Sequence, residues 1–224
     1  MAKQLSRRRA SQARSKATVE RILDAAASLI RETEPDGVTI TEIARRADVV
    51  IGSVYQYFAD RSAINRALLV RHYAEVRAML RDQLKNVQDL PGFLAAMEAA
   101  ADQYFIRHQT DPFYHGIWSA VQTDAALQSM DRLDTLDNAA YLVTVSHPLL
   151  PHVDRDELKA SYALALQFAA TTARFVRGLP LPLKNHALAV YRQILRNWFD
   201  SLTVAQRGRV KSVVRKSRAR ALSS

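Results

Sequence analysis

Residues 39–58 read Thr39-Ile40-Thr41-Glu42-Ile43-Ala44-Arg45-Arg46-Ala47-Asp48-Val49-Val50-Ile51-Gly52-Ser53-Val54-Tyr55-Gln56-Tyr57-Phe58. The stretch parses as two short helices joined by a tight turn. Thr39 and Glu42 have the spacing of a capping box, in which a hydroxyl and a carboxylate each satisfy an orphan backbone N–H at a helix start. The first helix then runs through Ile43, Ala44 and Ala47, and a second from Gly52 to Tyr57. Ile43, Ala47, Val49 and Val54 are expected to pack together, with Ala44 and Ala47 small enough for a close crossing. That leaves Gly52, Ser53, Gln56 and Tyr57 on a polar face. A helix pair of this kind places its second helix in the major groove of DNA, with phosphates taken by backbone N–H groups near Gly52.

Working outward, helical periodicity dominates and strand signals are nearly absent. Val19, Ile22, Leu23, Ala26 and Ile30 recur at three- and four-residue steps from Thr18 and predict a helix ending near Pro35-Asp36-Gly37. A long helix is expected over 62–85, with Ile64, Leu68, Leu69, Tyr73, Val76 and Leu80 on one face. Further helices are expected at 91–109, 112–122, 125–146, 154–177 and 183–203, with breaks at Pro91-Gly92, Asp111-Pro112, Pro148 with Pro151, and Gly178 to Pro182.

The run Ile43-Ala44-x-x-Ala47 followed by Gly52-Ser53-Val54-Tyr55-x-Tyr57-Phe58, with Arg61 close behind, resembles the signature of the TetR (tetracycline repressor) family; Ile22-Leu23-Asp24-Ala25-Ala26 matches its first helix. The resemblance covers about residues 16–76. It implies an all-α protein: a three-helix helix-turn-helix DNA-binding domain over 16–76, then a helical ligand-binding and dimerisation domain over 77–203. It also implies roles for individual residues. Thr39 would touch a phosphate, Ser53 and Gln56 would face bases or phosphates, and Tyr55 would reach a base edge or a thymine methyl. Tyr57 and Arg61 would anchor phosphates, and Phe58 would pack inside. Thr41, Arg45, Val50, Ile51 and Gly52 complete the implied DNA-facing set. Three positions depart from the family: Asp48 where Gly is common, Val50 where a capping Ser is common, and Ile51 where Lys is frequent. Asp tolerates a left-handed backbone, so the turn is expected to form, whereas Val50 has no side-chain acceptor with which to cap.

For the later helices the resemblance implies a four-helix bundle with a second subunit, built from 154–177 and 183–203. Leu158, Tyr162, Leu166, Ala169, Ala170, Ala173 and Val176, then Val190, Ile194, Leu195 and Trp198, are the apolar positions for it. A two-fold dimer with heads about one helical turn apart reads a near-palindromic operator. Tyr104, Phe105, Phe113, Tyr114, His115 and Trp118 crowd aromatic and mixed-polarity groups into one short stretch. Of these, Tyr104, Tyr114, His115 and Trp118 are the candidate contacts for a small-molecule effector, with core packing as the competing reading. The effector has to favour a state with misplaced heads, and the helix at 62–85 is the expected lever.

Composition narrows the alternatives. The net charge is +10, yet 13 of the 32 cations lie in residues 1–16 and 204–224, which carry no acid, leaving 19 against 22 acids between them. A basic N-terminal arm (1–15, with Arg7, Arg8, Arg9 and Arg14; Lys16 lies just beyond) and a basic C-terminal tail (204–224) are therefore expected to meet phosphate, or else to serve as solubilising tails. Val210, Val213 and Val214 interleave with Arg and Lys, but without Leu, Phe or Trp they make a poor membrane anchor. The chain has no cysteine, which removes disulfides and thiolate chemistry and fits a cytoplasmic location. No apolar run is long enough to span a bilayer. The histidines at 72, 108, 115, 147, 152 and 186 show no ligand spacing, and no glycine-rich phosphate loop occurs, so neither a catalytic function nor a metal or cofactor is expected. The alternative to a sequence-reading regulator is a helical adaptor, or a non-specific DNA binder whose basic ends supply the affinity.

Overall fold

A computed structural model describes the backbone at residues 2–33 and 38–221 and the side chains at 12–33 and 38–201. Among the described residues the fold is all-α. The helices are α1 (Ala2–Glu32), α2 (Ile40–Arg46), α3 (Ile51–Tyr57), α4 (Arg61–Leu84), α5 (Leu90–Thr110), α6 (Phe113–Thr123), α7 (Ala125–Ser146), α8 (Arg155–Phe175) and α9 (Leu181–Ala221). The expected Pro35-Asp36-Gly37 turn and the side chains of Arg7, Arg8, Arg9 and the whole 204–224 tail lie outside the described residues.

Short acidic side chains start several of these helices. Asp60 accepts from the Ala63 N–H at 2.7 Å, Asp89 from Gly92 at 2.7 Å, and Asp111 from Phe113 at 2.9 Å. Asp154 accepts from both Asp156 and Glu157. Each carboxylate satisfies an N–H that the helix leaves orphaned and opposes the positive end of the helix dipole. Pro91 and Gly92, read from the sequence as a break, instead stand in the first turn of α5. A proline there costs nothing, because its missing N–H has no intrahelical partner anyway.

The chain divides into two compact units, one of residues 1–76 with 110–131, the other of 77–109 with 132–224. The first unit thus takes more than the helix-turn-helix segment, since α6 and the start of α7 join it. Its core gathers Ile22, Ala26 and Ile30 of α1, Ile43 and Ala44 of α2, Val54 of α3, Leu68 of α4 and Ile117 of α6. Ion pairs brace its margins. Arg31 donates through two nitrogens to Asp111 at 2.9 Å, and Arg71 pairs with Asp24 at 2.6 Å. The Ser62 hydroxyl donates to Asp124, whose other oxygen accepts from Ala126 and Leu127 at the start of α7.

Helix α6 lies close against α1 at Gly116. A Cβ built there falls 2.4 Å from Cγ2 of Ile30, a buried and β-branched neighbour with little freedom to move. Helix propensity alone favours alanine over glycine by about 1 kcal/mol, whereas overpacking a core costs about 1–3 kcal/mol. Gly116→Ala is therefore expected to lower the melting temperature. A raised melting temperature would show that α1 and α6 yield easily at this crossing.

The second unit is built around Phe93, Phe105, Leu142, Leu158, Tyr162 and Phe199, all nearly or wholly buried. Phe93 meets Phe199 edge-on at 5.6 Å and Tyr162 at 5.8 Å. Burial pushes the Tyr162 and Tyr191 phenols up to about 12, so both stay neutral through the physiological range. Arg192 pairs with Asp102, and Arg196 with Glu98, tying α9 to α5.

Candidate nucleic-acid interface

The capping box at the start of α2 is complete. The Thr39 hydroxyl accepts from the Glu42 N–H at 3.2 Å and donates to the Glu42 carboxylate at 2.8 Å, while that carboxylate also accepts from the Thr39 N–H at 3.1 Å. These bonds hold the Glu42 carboxyl below its ordinary range. The hydroxyl expected from the resemblance to touch a phosphate is thus already engaged in capping. Arg46, at the other end of α2, grips Glu32 of α1 at 2.6 and 2.7 Å and donates to Ser28. Hydrogen bonds from Arg46 and Ser28 pull the Glu32 carboxyl down to about 2.

Between α2 and α3 the chain turns through Asp48, whose φ of 52° is the positive value among the described non-glycine residues. The backbone expected at this position therefore forms without glycine. Val50 stands at the N-cap of α3 with extended dihedrals and makes no side-chain cap bond; the Ser53 N–H reaches its carbonyl at 2.8 Å instead. Val54 and Phe58 are buried in the first core and Tyr57 packs against it, which seats α3 against α2 and the core.

The remaining residues of the expected DNA-facing set separate by exposure. Thr41, Arg45, Val50, Ile51, Gly52, Tyr55 and Gln56 are exposed, while Ser53, Tyr57 and Arg61 are half-buried. Arg14 and Lys16 of α1 are exposed as well. Seating through Val54 and Phe58 with Tyr55 and Gln56 facing out is what a reading helix requires, because the rigid attachment fixes which side chains meet the base edges.

The four candidate effector contacts do not fall in one unit. Tyr104 is in the second, where its ring lies 3.9 Å from that of His108. Tyr114, His115 and Trp118 are in the first: Tyr114 is in the core, Trp118 packs against it, and His115 is exposed. A separate open groove of about 410 Å³ runs along α8 and α9, lined by Ser161, Leu164, Ala165, Phe168, Tyr191, Ile194, Leu195 and Trp198. Leu164, Phe168 and Ile194 are exposed there, although Leu195 and Tyr191 beneath them belong to the core. Among the described residues, no three His, Cys, Asp or Glu side chains gather as a metal site would need, and no helix is long and apolar enough to cross a membrane.

An α2–α3 pair seated on the core through Ile43, Ala44 and Val54 over a left-handed turn, one helix presenting its outer face, makes the first unit a helix-turn-helix head, here followed by a helical second domain. The chain belongs to the tetR family of bacterial regulatory proteins: that family's model matches residues 22–73, and the tetracyclin repressor-like C-terminal domain matches residues 91–179. An uncharacterized HTH-type transcriptional regulator of Mycobacterium tuberculosis is 37% identical over 83 residues, which is 37% of this chain and 42% of that protein. The matched stretch thus spans less than half of that relative's length. Among solved structures, a TetR-family transcriptional regulator from Streptomyces coelicolor superposes with a TM-score of 0.61 at 23% identity, over 84% of this chain and 98% of that one. SmeT, the repressor of the Stenotrophomonas maltophilia multidrug efflux pump SmeDEF, gives 0.59 at 21% identity, over 79% and 89%. At these identities the two likenesses speak for the fold.

Proposed function

We propose that the protein is a sequence-specific DNA-binding transcriptional regulator of the cytoplasm. It acts as a homodimer on a near-palindromic operator, as a repressor that a small-molecule effector releases. The observation that carries this reading is α3: it is held by Val54 and Phe58 in the core while Ile51, Tyr55 and Gln56 face outward. Exposed Arg14, Lys16 and Arg45 in the same unit supply phosphate contacts. Dimerisation is supported by the apolar groove of α8 and α9, since one head alone reads too few base pairs. For the effector, SmeT has been solved as a complex with triclosan; here Tyr114, His115 and Trp118 of the first unit, and separately Tyr104 of the second, are the candidate contacts.

Selection of bound sequences from random duplex DNA, followed by titrations across salt concentrations, tests the proposal. Full-length protein, a form lacking residues 1–11 and 204–224, and Tyr57→Phe are to be compared. Enrichment of a palindrome that the shortened form still binds is the expected result. The Phe variant keeps the packing of Tyr57 and removes only its hydroxyl, so a lost phosphate bond of about 1 kcal/mol in each head weakens the dimer roughly thirtyfold. The salt dependence then counts neutralised phosphates. Binding without sequence preference that vanishes with the two ends would favour the adaptor or non-specific reading instead.

A further inference from the structure

The exposed face of α3 and its N-cap is uncharged and largely apolar, with Gln56 its one exposed polar amide. Val50 is 74% exposed, Ile51 44% and Tyr55 53%. No residue from Ile51 to Tyr57 carries a charge. Single exposed apolar residues are normal on a protein surface, but here three fall within six positions on a helix firmly seated by its other side. The bidentate reading of guanine O6 and N7 needs the donors of Arg or Lys, and α3 has neither. What an aliphatic side chain can recognise in the major groove is the 5-methyl group of thymine. Exposed cations in the same unit, Arg45 on α2 and Arg14 and Lys16 on α1, make a polyanion a fitting partner for this head.

Resting on the regulator reading, we propose that Val50 and Ile51 are the specificity-determining residues of the head and that they read thymine 5-methyl groups. The half-site core facing α3 is then rich in A·T pairs and contains no guanine read by this helix. Gln56, the one side-chain amide on the exposed face, is suited to pair with adenine N6 and N7 beside those thymines. Apolar side chains at the start of the helix take over a position at which a lysine would have bound guanine or phosphate. Affinity then comes from cations elsewhere, and selectivity from shape and methyl contacts.

Deoxyuridine lacks only the 5-methyl of thymine and tests this directly. In the selected operator, each half-site thymine is replaced by deoxyuridine, in both half-sites together, and full-length protein is titrated. At one or two positions the wild type is expected to lose about fourfold per methyl, or roughly fifteenfold for the symmetric pair. Ile51→Ala or Val50→Ala should lose a similar factor on thymine DNA and lose nothing further on the uracil-substituted operator. Both residues are exposed, so circular dichroism is expected to confirm an intact fold. An enriched palindrome bound equally well with uracil throughout would overturn the inference alone. So would losses in the variant and in the substituted DNA that simply multiply. If no sequence is enriched at all, the regulator reading falls and takes this inference with it.

Discussion

Ile194→Glu is expected to leave the protein monomeric and to weaken operator binding by on the order of a hundredfold. Ile194 is 46% exposed on α9, in the groove it shares with Leu164, Phe168 and Trp198. Because it is exposed in the single chain, a carboxylate there stays hydrated and the fold has little reason to suffer. In the proposed dimer the same carboxylate would be taken from water into an apolar groove, at a cost of several kcal/mol. Two heads held together gain avidity that separate heads lack, so affinity for a palindrome should collapse while affinity for a half-site is untouched. Sedimentation velocity and titration on both DNAs read the two parts separately. A variant that still sediments as a dimer would place the subunit contact elsewhere; a monomer with full operator affinity would remove the need for a dimer.

Phe93→Ala carries the largest expected loss of stability, about 3–5 kcal/mol. The ring is fully buried, and it links α5 to α8 through Tyr162 and to α9 through Phe199. Its removal opens a cavity among rigid aromatic neighbours that have few ways to collapse into it, and it also forfeits two ring–ring contacts. Urea unfolding at one fixed protomer concentration measures the change, since the proposed dimerisation would make apparent stability depend on concentration. A loss under about 1 kcal/mol would mean that the three helices close over the gap.

Local rules made most of the helices legible. The periodic apolar faces predicted α2 to α8 within a few residues. The Thr39 and Glu42 spacing predicted a capping box that is present in full, and Asp48 was expected to accept a left-handed backbone, as it does. Helices α1 and α9 are longer than expected, and the outer part of α1 carries no apolar stripe. Residues 2–17 are mostly Ala, Arg, Lys, Gln and Ser, which give helix propensity but no core face from which to count.

Long-range partners were not legible. Nothing in the sequence joins Arg31 to Asp111 or Arg46 to Glu32, or sets Ile30 against Gly116. The aromatic run 104–118 showed the same limit. It reads as one cluster, but the break at Asp111-Pro112 separates its two ends. Phe105 goes to one core and Phe113 to the other. At the candidate interface, helical geometry put Gly52, Ser53, Gln56 and Tyr57 outward. Gly52 and Gln56 are exposed, whereas Ser53 and Tyr57 are half-buried, Tyr57 because it packs against the core. The capping duty of Thr39 emerged only with atomic positions.

The return of α6 to the first unit has a consequence for how the chain is made. Phe113, Tyr114, Ile117, Val121 and Leu127 are part of the same core as Ile22 and Val54. A ribosome releasing the chain from its N-terminus therefore exposes α1 to α4 with one wall of their core still unsynthesised. Those helices have to wait, half-covered, until residue 131 has emerged, with α5 and its own apolar face extruded in between. For the same reason a graft of residues 1–76 onto another protein would bring an unsealed hydrophobic surface with it, and a transplanted head has to carry α6 along.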